Sequence, residues 1–388
     1  MRPGSVIVLW LLMGQAALAQ GRFTPAGQLA VARANHTATL LRDGRVLVTG
    51  GRSTDGLLTL ASCELYDPKK RSWSSAKSLS MARSHHTATL LEDGRVLVAG
   101  GTTHQETRFV SLDAVELYDP LKNTWTTAAP MHDARNGHTA TAMPDGSVLV
   151  AGGSREGRVN LASVERFVPA SGAWVVEQPL HVPRWLHAAV LLDNGAVLVL
   201  GGRSNFARGG VGPGISSDSV EWLDPAKGAW TAGPPMTEAR QRMGALLLKG
   251  KGVVVIGGQT ATSSTNLAET FAPGEPKWAP LENHLSMSLA SHSATGLSSG
   301  DVLVIGGEPP DAVDTPRAQR WRHDTKQWCL AGELRSSRKG HTATLLPGDL
   351  VLVVGGTSSG VPEKGVELWQ DAGAKAKCEE PPGLTLGW

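Results

Sequence analysis

Six histidines recur at one position of a repeating sequence: His36, His86, His138, His187, His292 and His341. Six imidazoles arranged in a ring are a chemistry that could hold a metal ion. The same residue in nearly every repeat, with Met243 filling the remaining slot, favours a role in the fold instead, such as a hydrogen bond between neighbouring units. Three residues upstream runs a second series, Arg33, Arg83, Arg135, Arg184, Arg240 and Arg338. Guanidinium groups bind carboxylates through two parallel donors. Each repeat offers a partner in Glu64, Glu116, Glu165, Glu221, Glu269 or Glu367. The remaining repeat has Leu289 for the arginine and Gln319 for the glutamate, so both charges are lost together. That joint loss marks them as structural ion pairs. No paired carboxylates, Ser-His-Asp set, Cys/His metal spacing or phosphate-cradling glycine loop accompanies them.

The units that position these side chains end in Gly-Gly, at 50–51, 100–101, 152–153, 201–202, 257–258, 306–307 and 355–356. A period of about 50 residues is the signature of a propeller blade. The second unit shows the grammar of one blade. His86 to Leu91 alternates as a strand, Asp93-Gly94 is a hairpin turn, and Arg95 to Ala99 is a second strand. Val115 to Tyr118 is a third, Asp119-Pro120 turns, and a fourth strand surrounds Trp125. The aromatic that ends the third strand is Tyr66, Tyr118, Phe167, Phe271, Trp321 or Trp369, with Leu223 the exception. The fourth strand carries Trp73, Trp125, Trp174, Trp230, Trp278 or Trp328. These rings are expected to fill the wedges between blades. The seventh unit lacks a fourth strand, whereas Phe23 to Arg33 matches Trp73 to Arg83. The expected fold is therefore all-β: a seven-bladed propeller of four-stranded antiparallel blades, spanning residues 20–369 and followed by a tail of 370–388. The N-terminal strand is expected to close it by joining the last blade, which removes free sheet edges.

A net charge of +2 and the absence of a basic stripe argue against nucleic acid or an anionic membrane as partner. Residues 1–19 read as a signal peptide. Arg2 is followed by the apolar run Val6 to Met13, too short to span a bilayer, and by Ala17-Leu18-Ala19. The mature chain is then secreted or periplasmic and begins near Gln20. In such an oxidising compartment Cys329 and Cys378, both outside the repeat, are candidates for a disulfide, while Cys63 replaces a buried valine.

Where repeats differ, recognition becomes possible. The loops after each Gly-Gly vary in length and emerge on one face. The longest carries Arg203, Asn205 and Arg208, and those of the second and third blades add His104, Arg108, Arg155 and Arg158.

Hydrophobic strands ending in Gly-Gly, then an aromatic, then a Trp make the chain similar to the kelch-repeat family. The variant His-Thr-Ala-Thr-Leu-Leu followed by Asp-Gly-Arg-Val-Leu-Val also resembles the propeller of the galactose oxidase group. In kelch proteins that capture peptides, the residue before the repeated histidine lines the pocket mouth, so the resemblance adds His85 and Arg242 as candidates. Copper chemistry of the galactose oxidase kind needs tyrosine and histidine ligands near the axis, and only Tyr66 and Tyr118 exist, both at the wedge position. The resemblance implies a monomeric, non-catalytic, cofactor-free module that binds a polypeptide or glycan. The alternative is a carbohydrate-active enzyme similar to a sialate epimerase or to galactose oxidase.

Overall fold

The computed structural model describes residues 21–53, 58–105, 108–204, 215–248, 250, 252–310, 314–373 and 378. The proposed leader lies outside them, as do Asn205 and Arg208. Seven four-stranded antiparallel sheets form in sequence order, and the described residues contain no helix. Blade one consists of Thr37–Leu40, Val46–Thr49, Cys63–Asp67 and Ser72–Ala76, innermost strand first. The innermost strands touch in turn from blade to blade, and that of blade seven, Thr342–Leu346, touches that of blade one, so the ring is closed. Blade seven takes its outer strand, Gly21–Gln28, from the start of the described chain. That strand pairs with Gly365–Asp371, setting Phe23 opposite Trp369. The last strand thus runs two residues beyond the boundary at 369 expected from sequence, and Cys378 is bonded to Cys329 on the outer strand of blade six.

The second strand of every blade is its most buried, because it is covered on both faces by neighbouring blades. Val46, Val48, Val96 and Val98 are among its fully buried residues. Burying such side chains contributes roughly 1.5–3 kcal/mol each. Tyr66, Tyr118, Phe167, Phe271, Trp321 and Trp369 fill the wedges as expected. Their outer-strand partners are less uniform. Trp174, Trp230, Trp278 and Trp328 are buried, whereas Trp73 and Trp125 are only half-buried, tied through Nε1 to the carbonyls of Ala26 and Lys77.

The glycine pair is required by close approach. Gly50 and Gly51 have φ of 61° and 106°, and a Cβ on Gly50 would lie 2.5 Å from the Arg83 carbonyl oxygen and 2.9 Å from the His86 ring. The histidines are the other half of this joint. His36, His86, His138, His187 and His341 each hold, through Nε2, a hydroxyl on the innermost strand of the preceding blade. The partners are Thr342, Thr37, Thr87, Thr139 and Ser293, at 2.9–3.0 Å. Blade five has Met243 in the slot, and the matching residue of blade four is Ala188. Both are apolar and pack on one core cluster. His292 is the exception, since Gly244 offers no hydroxyl and both ring nitrogens lack a partner. The histidines therefore join blades and do not face one another as ligands.

The arginine series is equally structural. Each guanidinium is buried and donates to the glutamate of its own blade: Arg33 to Glu64, Arg83 to Glu116, Arg135 to Glu165, Arg184 to Glu221, Arg240 to Glu269 and Arg338 to Glu367, at 2.5–2.8 Å. Each also donates to the carbonyl of the first glycine of its pair, so one side chain fixes two ends of the blade. In blade six the Ser286 backbone N–H and hydroxyl donate to Gln319 Oε1 instead.

Candidate functional site

At the axis, on the face of the variable loops, the residue before each histidine slot forms a closed circle. The N–H of His85 donates to Asn35 O, Gly137 to His85, Leu186 to Gly137, Arg242 to Leu186, Ser291 to Arg242, Gly340 to Ser291 and Asn35 to Gly340, at 3.0–3.3 Å. All seven lie in the left-handed region, with φ from 52° to 61°. Glycine would occupy these positions without strain, yet five carry side chains: Asn35, His85, Leu186, Arg242 and Ser291. Left-handed backbone costs such residues about 1 kcal/mol each. Unusual backbone held at one place is a pointer to a working site.

A second tier surrounds this circle. The residue following each glycine pair makes an antiparallel bridge to the residue two before the histidine slot. It is Arg52, Thr102, Ser154, Arg203, Gln259, Glu308 or Thr357. Arg52 lies over the Phe109 ring, 4.2 Å from its centre, and its buried Nε has no hydrogen-bond partner. Burial pulls its pKa down with no carboxylate offsetting the loss. Arg242 is also lowered by burial, with Glu308 acting against that and Arg203 adding to it. Neither Arg52 nor Arg242 has an ion-pair partner among the described residues. His85 is half-buried beside them, and burial followed by the charges of Arg52 and Arg242 pushes its pKa down to about 3. His85 is thus a neutral hydrogen-bonding group at neutral pH. Arg242 comes from blade five and His85 from blade two, both on the axial circle, and the charge of the first is felt by the second across the opening. On the rim of blades six and seven, Lys339 Nζ sits 2.7 Å from Glu308 and 3.4 Å from Asp314, whose burial raises its pKa.

The other residues expected from sequence are more scattered. Arg203 is half-buried in the second tier, bridged through its main chain to Trp185. His104 is stacked edge-on against Phe109, 5.1 Å between centroids. Arg155 is bonded to Asp133 and is thereby neutralised, while Arg108 and Arg158 stand exposed at the periphery. The structure thus brings His85 and Arg242 together and adds Arg52 and Glu308, which sequence reasoning misses. A signal for these two exists, since they are variable residues at the fixed position after Gly-Gly. On the opposite face, shallow clefts open between blades. The one between blades seven and one measures about 540 Å³ and is floored by Leu346, Pro347 and Leu350. Its charges largely cancel within Asp43–Arg45 and Asp67–Lys70.

The fold, the repeated joints and this axial circle define a class: the chain is a kelch-repeat β-propeller. The KLHDC2/KLHL20/DRC7 Kelch-repeats domain matches residues 16–202 and the Kelch motif matches residues 184–237. Among relatives, Kelch-like protein 40 of Homo sapiens is 32% identical over 117 residues, covering 29% of this chain and 19% of that protein. The Mus musculus Kelch-like protein 40 is 32% identical over 130 residues, 32% of this chain and 20% of that protein. The chain therefore spans about a fifth of the length of these relatives. Among solved structures, a fungal alcohol oxidase of the AA5 family, in complex with copper, superimposes with a TM-score of 0.72 at 18% identity, covering 93% of this chain and 79% of that one. The protein YjhT does so with 0.60 at 14% identity, covering 78% and 98%. At these identities the likeness is one of fold.

The residues here do not fit a copper centre with tyrosine ligands. Tyr66 and Tyr118 are fully buried in the wedges at the opposite-face end of their strands, and Tyr118 Oη is bonded to Asn123. Among the described residues, no three His, Cys, Asp or Glu side chains are grouped to hold a metal.

Proposed function

We propose that this protein is a non-catalytic binding module whose axial mouth receives an acidic group of a polypeptide or glycan. The observation that carries this reading is the pair Arg52 and Arg242, partly desolvated guanidinium groups with no ion-pair partner among the described residues, set on the axial face with neutral His85. A carboxylate arriving there gains charge-assisted hydrogen bonds that cost little further desolvation. Each such bond is worth about 1.5–3 kcal/mol. Titration calorimetry with an oligoglutamate peptide and with an oligogalacturonate tests both ligand classes. Arg52→Ala and Arg242→Ala are each expected to weaken binding ten- to a hundredfold with little change in melting temperature. Parental affinity in both variants would remove the mouth from consideration.

We also propose that the protein is exported and cleaved after Ala19. The Cys329–Cys378 bond supports this, since such bonds persist in oxidising compartments. Edman sequencing of secreted material should begin at Gln20, and an intact Met1 in that material would refute the cleavage.

A further inference from the structure

Above the axial circle the variable loops rise into short hairpins. Blade two has Thr102–Gln105 with Arg108–Ser111, blade three Ser154–Arg155 with Val159–Asn160, blade four Arg203–Ser204 with Ile215–Ser216, and blade seven Thr357–Ser358 with Val361–Pro362. In blades one and five, single bridges join Arg52 to Thr59 and Gln259 to Ser264. The shared register puts Thr59, Ser111, Asn160, Ser216, Ser264 and Pro362 at one equivalent position. Four of these turn inward and hold the next blade: Ser111, Asn160, Ser216 and Ser264 donate to the carbonyls of Ser154, Arg203, Gln259 and Glu308 at 3.0–3.3 Å. Side chains alternate along a strand. The residue before each of these must therefore face out, and it is Leu58, Val110, Val159, Ile215, Ser263 or Val361.

Leu58, Val159, Ile215 and Val361 are 53%, 51%, 48% and 53% exposed. Single exposed aliphatic residues are ordinary. Four at one register position, on blades seven, one, three and four, with half-buried Val110 of blade two between them, form an arc. Ser263 shows that the position itself needs no aliphatic group. Two cations on the same hairpins, Arg108 and Arg158, are exposed and have no ion-pair partner among the described residues.

We propose that this arc is the docking surface for a polypeptide partner that presents aliphatic and acidic side chains together. Resting on the reading of this face as the binding face, it selects protein over glycan: an aliphatic rim gives a sugar few partners, whereas arginines beside valines complement a strand that alternates carboxylates with leucines. The probes are fluorescent twelve-residue peptides alternating Glu with Leu, Glu with Ser, or Lys with Leu, measured by polarisation. The Glu/Leu peptide should bind at least tenfold more tightly than Glu/Ser, and Lys/Leu should not bind. The triple variant Val159→Ser, Ile215→Ser, Val361→Ser, which copies the serine of blade five, should lose at least tenfold in affinity with an unchanged melting temperature. Equal binding of Glu/Leu and Glu/Ser, or parental affinity in the triple variant, would overturn the arc. If Arg242→Ala still abolished binding in that case, the axial reading would stand alone. Loss in the triple variant with none in Arg52→Ala or Arg242→Ala would support the arc and overturn the mouth. A concentration-dependent dimer in sedimentation, abolished by the triple variant, would assign the arc to a second copy of this chain and overturn the acidic partner.

Discussion

Acidification from pH 7 to pH 4 should unfold the ring in a single steep transition, with a midpoint near pH 5. His36, His138 and His341 are buried, and desolvation pushes their pKa down to about 3, with the nearby arginine of the same blade adding to it. His86 and His187 are driven well below the ordinary value by the same causes. An unfolded chain takes up these protons near pH 6.5, while the folded one refuses them until much lower. Stability from the neutral joints is therefore complete above about pH 6.5 and is lost as pH falls towards 3. At pH 5 each of His36, His138 and His341 contributes a loss of about 2 kcal/mol, at about 1.4 kcal/mol for each pH unit below 6.5. The three together approach about 6 kcal/mol, already comparable with the whole stability of a marginal domain, and His86 and His187 act in the same direction. Tryptophan fluorescence and far-UV circular dichroism followed against pH would check this. A protein still native at pH 3.5 would mean that the joints tolerate charge.

Arg240→Leu alone should be among the most damaging single substitutions, destabilising the fold by about 3–5 kcal/mol, because it strands a buried carboxylate. Glu269 is buried and would keep only the Thr237 main chain and hydroxyl as donors. The Gly257 carbonyl would also lose its donor, and that of Leu267 would keep only the Gly257 N–H. Adding Glu269→Gln should restore most of that loss. Blade six is built this way, with buried Leu289 beside Gln319, whose amide oxygen accepts from Ser286, the counterpart of Thr237. Chemical denaturation of the single and double variants makes the comparison. A double variant no more stable than the single one would show that the ion pair contributes something an amide cannot replace.

The ring is legible in the sequence because its joints repeat. Nearly every joint uses the same glycine pair, histidine and arginine, so the period announces both blade number and closure, down to Phe23 meeting Trp369. The loss of Arg and Glu together in blade six is likewise readable as a pairing. Why Met243 is tolerated is not readable from its own repeat, because the reason lies one blade away, where Ala188 stands in place of a hydroxyl. The hairpins above the mouth are invisible, because strands of two to four residues carry too little alternation to stand out. Function is hardest for the same reason. Arg52 and Glu308 hold the slot after Gly-Gly, and His85 and Arg242 the slot before the histidine, but they come from four blades and the repeat does not say which occupants work together. Only closure of the ring makes neighbours of residues so far apart in sequence.

That closure also determines how the molecule bears tension. Gly21 and Asp371 are paired neighbours on antiparallel strands, so a pull between these two points loads their hydrogen bonds one at a time, as in a zip, rather than all at once. The Cys329–Cys378 bond changes the route of the load. A force applied to the chain beyond Cys378 passes covalently into blade six and bypasses the last strand. Reduction of that one bond would hand the strain back to the zip, making the redox state of two cysteines the setting of the ring's mechanical strength.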